Sequence, residues 1–269
     1  MLLFPGTKKP MAEQMVAKWN NKKFFAILYL PYKWLIFFPI LFISTLVFGA
    51  LAVLISALIN QKIGSFIGGV LWARFNSYLT PIVVKVTGKG HIHAKQSYVI
   101  VANHQSYYDI FVLYGWLGID IKWVMKQELR KIPGLGIGSE KVGHIFIDRS
   151  SAKSALTSIE AAKKKIVNGT SIVFFPEGTR SLTGRMNSFK KGAFKMALEL
   201  ELPVLPVTII GTKNILPSGT ISLLPGFAKL IVHAPIEITK YKQETIDALA
   251  GKAREVIREG LIQNGVVQE

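Results

Sequence analysis

The amino-acid sequence predicts an α/β fold, a layered domain with a mostly parallel central sheet flanked by helices, preceded by an N-terminal helical membrane anchor. Two observations predict this arrangement. The 28 residues from Trp34 to Gln61 carry no charge, whereas a membrane span needs only about 20 residues. From residue 81 onwards, short apolar runs alternate with helix-like segments, which is typical of a parallel sheet covered by helices. We therefore predict membrane-anchoring helices over residues 1–80 and a separate α/β domain over residues 81–269.

The charge of the anchor region favours contact with an anionic membrane surface. The chain has 269 residues and a formal net charge of +17, and 50% of its residues are hydrophobic. Residues 1–108 contain eleven Lys or Arg and a single acid, Glu13. Bases therefore flank the most apolar part of the chain, as expected beside anionic lipid. A nucleic-acid-binding protein would more often spread its bases over a soluble fold, so nucleic acid is not an expected partner.

The basic flanks also predict how the anchor is arranged. Because bases on both sides of the uncharged run are retained in the cytoplasm, we favour a re-entrant or two-helix anchor. Residues 63–80 would return along the membrane surface, with bends at Pro39 or within residues 44–49, and a short basic helix is expected at residues 11–24. A single span is the alternative. The expected location is the cell inner membrane, with the α/β domain facing the cytoplasm.

The α/β domain is predicted to contain apolar strands that alternate with helices. The predicted strands cover residues 81–86, 97–102, 121–125, 144–147, 171–175, 203–210 and 228–238. The predicted helices cover residues 106–117, 152–167, 189–200 and 243–262. The glycine-rich residues 134–138 lack a full dinucleotide-binding fingerprint and are expected to form a loop.

A histidine and an aspartate stand where a buried strand meets a helix, in VIVANHQSYYDIFVL. On one continuous helix, residues five positions apart point about 140° away from each other, so His104 and Asp109 would not meet. If His104 lies in the loop and Asp109 in the first helical turn, the carboxylate orients the imidazole and stabilises its charged form. Ser106 and Asp109 also resemble a capping box, so helix capping is the alternative interpretation of Asp109.

Charged residues follow two other predicted strands. GHIFIDRS ends in Asp148 and Arg149, which form either a surface ion pair or a cationic site at the mouth of the sheet, where ligands of α/β proteins gather. In SIVFFPEGTRS, a tight turn projects Glu177 and Arg180 beyond the strand. Arg180 suits a phosphate through charge-assisted hydrogen bonds, and Glu177 suits a substrate hydroxyl. A local ion pair in the turn is the alternative.

Other motifs are absent from the sequence or carry little chemistry. The chain has no cysteine, which excludes disulfides, thiol nucleophiles and cysteine-ligated metals. It has no G-x-S-x-G, P-loop or H-E-x-x-H motif. His91 and His93 share one strand face without nearby carboxylates, so we interpret them as structural and expect neither a metal nor a cofactor. The segment LPVLPVTI contains two prolines in a β-rich run, and we interpret it as lining for an apolar acyl pocket.

Together, four segments resemble the motifs of the glycerolipid acyltransferase family. NHQSYYD is similar to the N-H-x4-D motif, GHIFIDR to the second motif, FPEGTRS to the third and LPVLPV to the fourth. They occur in the family order over about residues 80–240, and the bacterial 1-acyl-sn-glycerol-3-phosphate acyltransferase branch is the most similar. Two positions depart from the usual motifs, because Tyr108 precedes the aspartate and His144 stands near the start of the second motif.

The resemblance implies a fatty acyl transfer from acyl-CoA or acyl-carrier protein, both co-substrates, to the sn-2 hydroxyl of a lysophosphatidate, giving phosphatidic acid for phospholipid biosynthesis. It implies that His104 is the general base and that Asp109 orients it. The other residues that it assigns to the substrate site are Lys126, Arg149, Glu177, Gly178, Thr179 and Arg180. The two arginines and Lys126 would hold the acceptor phosphate, and Glu177 and Gly178 would shape the glycerol site.

Three alternative functions stay open at the level of the sequence. The first is the same acyl transfer to a different acceptor, which would be glycerol 3-phosphate, another lysophospholipid or a lyso-ornithine lipid. A non-catalytic basic protein that binds membranes or nucleic acid would show salt-dependent binding without consuming a thioester. A lipid hydrolase would cleave an ester or thioester without an acceptor, and the missing nucleophile motif counts against it.

Overall fold

A computed structural model of the chain describes residues 23–132, 135–148, 157, 160, 163, 165–166 and 168–267. Most of the helix predicted at residues 11–24 and most of the helix predicted at residues 152–167 therefore lie outside the described residues.

The N-terminal region forms two antiparallel helical arms, which we call the helical hairpin (residues 23–79). The first arm comprises α1 (Lys23–Tyr32), a π-helical turn (Lys33–Phe37) and α2 (Phe38–Leu58). The second arm comprises α3 (Gln61–Ser65), a π-helical turn (Phe66–Leu71) and α4 (Trp72–Leu79). The side chain of Asn60 caps α3 by accepting a hydrogen bond from the backbone N–H of Ile63 at 2.9 Å. The chain therefore reverses at residues 59–60.

The hairpin has the predicted two-helix form, but the bend predicted at Pro39 or within residues 44–49 is wrong, because the chain reverses at neither place. The first arm continues through these residues, and Ser44 donates a hydrogen bond to Asn76 Oδ1 of the second arm at 3.0 Å. A proline ring clashes with the carbonyl four residues earlier in a regular α-helix. The π-helical turn Lys33–Phe37 lies directly before Pro39 and widens the helix there. The orientation of the hairpin in a membrane stays a prediction.

Seven strands form one sheet in the described part of the chain, and the predicted mostly parallel α/β fold is confirmed. They are β1 (Ile82–Thr87), β2 (Val99–Ala102), β3 (Ile121–Lys126), β4 (Ile145–Ile147), β5 (Ser171–Phe174), β6 (Val204–Ile210) and β7 (Gly226–Val232). The strand order is β1-β7-β6-β2-β5-β3-β4. Strand β7 pairs antiparallel with β6 and parallel with β1, whereas β6, β2, β5, β3 and β4 all run in one direction.

Helices cover both faces of this sheet. They are α5 (Tyr108–Trp116), α6 (Leu135–Lys141), α7 (Gly192–Leu200), α8 (Thr212–Ile215) and α9 (Ile246–Ile262). Alternate residues of β2 face opposite sides of the sheet. Val99 and Val101 pack in a core with residues of α7 and α9. Ile100 packs on the other side with residues of α5 and with Phe37 of the hairpin. The loop predicted at residues 134–138 is wrong, because α6 begins there.

Strand β6 is central although it contains Pro206. Its antiparallel ladder with β7 begins at Val207, and Val204 forms an isolated bridge with Ile236. Pro206 therefore lies where the ladder is interrupted, and its carbonyl accepts a hydrogen bond from the backbone N–H of His233 at 3.1 Å. The missing N–H is tolerated at such a position. The strand is buried within the core, and its role in an acyl pocket stays a prediction.

The hairpin is joined to the α/β domain by hydrogen bonds near the ends of β3 and α5. Ser65 donates to Asp120 at 3.1 Å, and Asp120 also forms an ion pair with the buried Lys122 at 2.8 Å. Arg74 donates to the carbonyl of Gly115 at 2.7 Å. The last hairpin helix ends at Leu79 and the first strand begins at Ile82, so the change in structure lies close to residue 80.

Candidate active site

The loop between β2 and α5 holds His104, at the carboxyl end of a central parallel strand. Its first residue, Asn103, fixes the loop to β6. The Asn103 amide donates to the Ile209 carbonyl at 2.9 Å and accepts from the Ile209 N–H at 2.8 Å. The carbonyl of His104 accepts a hydrogen bond from the N–H of Ser181 at 2.8 Å. The backbone beneath the histidine is thus held by two neighbouring strand ends.

His104 and Asp109 meet as the motif predicts. Nδ1 of His104 lies 2.8 Å from Oδ2 of Asp109, which is fully buried, whereas the histidine side chain is 15% exposed. A carboxylate only accepts hydrogen bonds, so Nδ1 carries the proton in this pair. Nε2 of the neutral ring is then the nitrogen whose lone pair is available to accept a proton.

Asp109 also binds the backbone at the start of α5, as the capping interpretation expects, and its contact with His104 is present at the same time. Its role in catalysis stays a prediction. The same oxygen, Oδ2, accepts hydrogen bonds from the backbone N–H groups of Gln105 at 2.7 Å and Ser106 at 2.9 Å. The hydroxyl of Ser106 in turn accepts from the N–H of Tyr108 at 2.9 Å. This pattern is close to a capping box, except that the Ser106 hydroxyl accepts from the N–H two residues on rather than three, and the Asp109 N–H donates to the Ser106 carbonyl. The helix cap fixes the carboxylate, and the fixed carboxylate orients the imidazole.

An aromatic stack holds the plane of the imidazole from the side of β5. The ring of Phe175 lies parallel to that of His104, with 3.8 Å between centroids and 9° between planes. The ring of Trp123, from β3, stacks in turn on that of Phe175, with 5.7 Å between the ring centroids. Sequence reasoning missed Phe175, although its place immediately before Pro176, at the end of a strand adjacent to β2, was a usable signal.

Glu177 fastens the loop after β5 to the histidine loop. One carboxylate oxygen accepts from the N–H of His104 at 2.7 Å, and the other accepts from the N–H of Asn187 at 2.8 Å. Burial raises the pKa of Glu177 above its ordinary value, although both backbone donors lower it. The structure thus shows a positioning role for Glu177, and its contact with a substrate hydroxyl stays a prediction.

Arg180 lies on the ring of Tyr107, beside the histidine loop. The guanidinium carbon is 3.4 Å from the ring centroid, a cation–π contact. Its Nη1 atom is buried and has no hydrogen-bond partner among the described residues. Both side chains line a cavity of about 600 Å³, together with Lys33 and residues 219–222. The cavity therefore presents a cation with unused donors close to the His104–Asp109 pair.

The remaining predicted site residues are placed less completely. Gly178 and Thr179 are exposed in the loop after β5. Gly178 has a φ of +75°, and its N–H donates to the Phe175 carbonyl at 3.0 Å, so this turn favours glycine. The backbone of Lys126 ends β3 and pairs with Ile147 of β4. Arg149 lies outside the described residues. The substrate roles of these residues stay predictions.

The two departures from the family motifs have structural roles. Tyr108 is buried, and its hydroxyl donates to Ser77 of the hairpin at 3.1 Å. Burial raises its pKa to about 12. Nε2 of His144 lies 2.9 Å from the hydroxyl of Tyr114, and its Nδ1 accepts from the N–H of Trp123 at 3.4 Å. Neither side chain is placed to alter the geometry of His104 and Asp109.

The site therefore combines a buried carboxylate, an oriented imidazole and a nearby cation at the carboxyl end of a parallel sheet. Such an arrangement is typical of enzyme domains that use a histidine base beside an anion-binding position, and these roles stay predictions for His104 and Arg180. In the described residues, no group of three histidines, aspartates or glutamates is arranged to hold a metal ion.

Comparison with known proteins gives the family. The acyltransferase family model matches residues 83–210. The chain is 31% identical over 231 residues to a 1-acyl-sn-glycerol-3-phosphate acyltransferase of Limnanthes douglasii, covering 83% of this chain and 79% of that protein. It is 31% identical over 179 residues to one of Borreliella burgdorferi, covering 65% of this chain and 72% of that protein. The chain belongs to the acyltransferase family that includes these proteins.

A solved structure and a longer relative complete the comparison. The crystal structure of the 1-acyl-sn-glycerophosphate (LPA) acyltransferase PlsC from Thermotoga maritima matches with a TM-score of 0.73 and 28% identity, over 92% of this chain and 99% of that chain. A chloroplastic 1-acyl-sn-glycerol-3-phosphate acyltransferase of Brassica napus is 37% identical over 164 residues, which is 61% of this chain. The chain spans somewhat less than half of the length of that relative, 46%.

Proposed function

We propose that this protein transfers a fatty acyl group from a thioester to the sn-2 hydroxyl of 1-acyl-sn-glycerol 3-phosphate, forming phosphatidic acid for phospholipid biosynthesis. The observation that carries the proposal is the 2.8 Å contact between His104 Nδ1 and the buried Asp109. Family membership and the names of the relatives support the choice of substrate.

In the proposed reaction, Nε2 of His104 takes the proton of the sn-2 hydroxyl as its oxygen attacks the thioester carbonyl. A carbon–oxygen bond forms, the carbon–sulfur bond breaks, and the imidazolium returns its proton to the departing thiolate. Asp109 stabilises the imidazolium while it exists. These reaction steps balance in atoms and charge without a metal or a cofactor. A positioned base of this kind contributes about 10²–10⁴ in rate.

The cation beside the base favours a phosphorylated acceptor. Arg180 has a buried nitrogen without a hydrogen-bond partner among the described residues, and it lines the cavity next to Tyr107. Guanidinium groups bind phosphate through charge-assisted, often bidentate hydrogen bonds. A lyso-ornithine lipid lacks this phosphate, so a phosphorylated acceptor is preferred. Arg180 does not choose among phosphorylated acceptors, and the names of the relatives favour lysophosphatidate among them.

The helical hairpin supports a membrane location. The helix Ile27–Leu58 is long and apolar enough to cross a membrane by length and composition, with a mean hydropathy of 2.5. We propose that the hairpin enters the cytoplasmic leaflet of the inner membrane, where anionic lipid attracts its basic flanks. The thioester donor, acyl-CoA or acyl-carrier protein, would then approach from the cytoplasm.

The experiment that tests this proposal uses the purified full-length chain in mixed micelles. Labelled acyl-CoA and acyl-carrier protein are each offered with lysophosphatidate, glycerol 3-phosphate, lysophosphatidylcholine or a lyso-ornithine lipid, and the products are resolved by mass. Label at the sn-2 position of phosphatidic acid is the expected result. Thioester hydrolysis without acceptor, or acylation of the other acceptors only, would contradict the proposal.

A further inference from the structure

We propose that Lys33 of the helical hairpin binds the phosphate of the acceptor headgroup together with Arg180. The inference rests on the proposed function and adds to that site a residue from outside the four sequence motifs. Its direct consequence is that the anchor contributes to the substrate site, in addition to any role in holding the enzyme at the membrane.

The position of Lys33 is unusual for a lysine in an apolar segment. It is the first residue of the π-helical turn that precedes Pro39, and its side chain is 5% exposed. Its Nζ donates to the carbonyl of Ile221 at 3.3 Å and lies 5.3 Å from the ring centroid of Trp34. Lysines near the ends of apolar helices usually extend towards water, whereas this side chain turns towards the α/β domain.

The charge of Lys33 is not neutralised by the neighbouring protein groups. Among the residues that the structure describes, no carboxylate forms an ion pair with either Lys33 or Arg180. A buried cation whose hydrogen bond goes only to a neutral carbonyl is costly unless an anion completes the site. Arg180, on the other side of the same cavity, is partly buried and has a nitrogen without a hydrogen-bond partner among the described residues. The two cations beside one cavity therefore indicate an anionic ligand that binds between them.

The cavity links the two cations to the catalytic histidine. Lys33, Arg180 and Tyr107 all line the same space of about 600 Å³. Tyr107 belongs to the loop that carries His104, and Ser181, next to Arg180, donates to the His104 carbonyl at 2.8 Å. In lysophosphatidate only a short chain of atoms separates the sn-2 oxygen from the phosphorus. A phosphate held in this cavity thus leaves the hydroxyl near the base.

The surface around Lys33 also suits the tail of a lipid acceptor better than a soluble phosphate. Trp34, Leu35 and Ile36 follow Lys33 and are 50%, 76% and 45% exposed. An acceptor with its phosphate at Lys33 would have its acyl chain beside this apolar surface, within the bilayer that we propose for the hairpin. We therefore assign the anion to the lipid headgroup, and treat a phosphate of the thioester donor as the competing source.

The test compares Lys33→Met with Lys85→Met in the full-length chain. Methionine keeps much of the lysine stem and removes the charge, and Lys85 is an exposed base on β1 that provides the same loss of net charge away from the cavity. Lys33→Met should raise the KM for lysophosphatidate about 10- to 100-fold, as expected for a lost charge-assisted hydrogen bond, with little change in the KM for the donor. Lys33→Arg should recover most of the loss.

Three results would overturn the inference. They are an unchanged acceptor KM in Lys33→Met, an equal rise in Lys85→Met, and a rise confined to the KM for the donor.

Binding separates this inference from the proposed function, because lysophosphatidate should raise the thermal midpoint of the wild type more than that of Lys33→Met, whether or not acyl transfer occurs. A wild type that binds lysophosphatidate in this way without acylating it would refute the proposed function alone. If neither wild type nor variant is stabilised, Lys33 is not a headgroup ligand. Should Lys33→Met fail to fold, Lys33→Gln is measured in the same way and decides by the same criteria.

Discussion

The helical hairpin and the α/β domain place their apolar side chains in opposite ways. In the domain, Val99, Leu205 and Leu230 are fully buried. In the hairpin, Leu35 and Leu58 are 76% and 75% exposed. Exposure of such large side chains to water costs about 25 cal/mol for each Å² of apolar surface. The same chain therefore contains one region that buries its own core and another that exposes a large apolar surface, as expected of a helix that contacts lipid.

The contacts that hold each region together also differ between the domain and the hairpin. The domain packs large apolar side chains across both faces of its sheet. Within the hairpin, the arms approach closely at small residues, since a Cβ added at Gly64 would lie 2.6 Å from the Ala52 carbonyl. Thr45 accepts a hydrogen bond from the Trp72 indole at 3.1 Å. Small residues and polar contacts are what join helices whose outer surface faces lipid. Substitutions at these contacts between the arms should therefore affect the hairpin without affecting the chemistry, whereas Lys33 is expected to affect the substrate site.

The largest expected effect separates these two regions most clearly. His104→Ala removes the base and should lower kcat by about 10²–10⁴. The hairpin is unchanged by this substitution, so binding to vesicles that contain anionic lipid should match the wild type. The measurements are phosphatidic acid formation and vesicle sedimentation. Residual activity near that of the wild type would exclude His104 as the base, and loss of vesicle binding would mean that the two regions are not separable.

Arg180→Ala is expected to have the next largest effect, confined to one substrate. Loss of a charge-assisted contact with phosphate corresponds to about 1.5–3 kcal/mol, which is about 10- to 100-fold in the KM for the acceptor. The KM for the acyl donor should change little. Steady-state kinetics with each substrate varied in turn makes this comparison, and equal effects on both substrates would remove Arg180 from the phosphate site.

A substitution in the hairpin should destabilise the anchor without altering the catalytic geometry. Gly64→Leu places a side chain against the backbone of α2, and overpacking of this kind costs about 1–3 kcal/mol. Gly49→Leu is the matched control, because a Cβ at Gly49 meets nothing within 4 Å. Thermal unfolding in detergent should show a lower midpoint for Gly64→Leu only. Similar midpoints for the two variants would show that the observed close approach is not required.

The last of these predictions concerns acid stability at the edge of the sheet. Burial lowers the pKa of His144 from 6.5 to about 3, so the unfolded chain binds a proton at a pH where the folded chain does not. This contribution to stability is therefore fully present above about pH 6.5 and is lost as the pH falls towards 3. Relative to His144→Gln, the wild type should lose at most about 1.4 kcal/mol per pH unit across this window. The measurement is the free energy of unfolding of both proteins at pH 7, 6, 5 and 4. If the difference between the two proteins is the same at every pH, the lowered pKa of His144 is refuted.

Much of the fold was accessible from the sequence because buried strands leave continuous apolar runs. The runs at residues 97–102 and 171–175 coincide with β2 and β5, and the polar residues that follow them meet at one edge of the sheet. The strand β7 was predicted within residues 228–238, but its antiparallel pairing with β6 was not, since an apolar run does not record strand direction. The short helix α6 contains two glycines, which disfavour a helix, so local propensity indicated a loop there.

The site was predictable only as far as its motifs extend. His104 and Asp109 were found from their spacing and from the strand before them, although spacing left capping and catalysis as alternatives. Phe175 and Tyr107 act through stacking across loops, and Lys33 reaches the cavity from the distant hairpin. Such contacts depend on tertiary packing, which no local pattern records.

The most direct test of the account is the Asp109→Asn variant, because Asp109 both caps α5 and orients His104. The amide oxygen of asparagine still accepts hydrogen bonds from the backbone N–H groups at the cap, so the free energy of unfolding should fall by only about 1 kcal/mol. The amide cannot stabilise an imidazolium in the same way, so the rate of phosphatidic acid formation should fall by about 10²–10⁴. A large loss of rate with a small loss of stability is the predicted result. A rate close to that of the wild type would contradict the assignment of His104 and Asp109 as the catalytic pair.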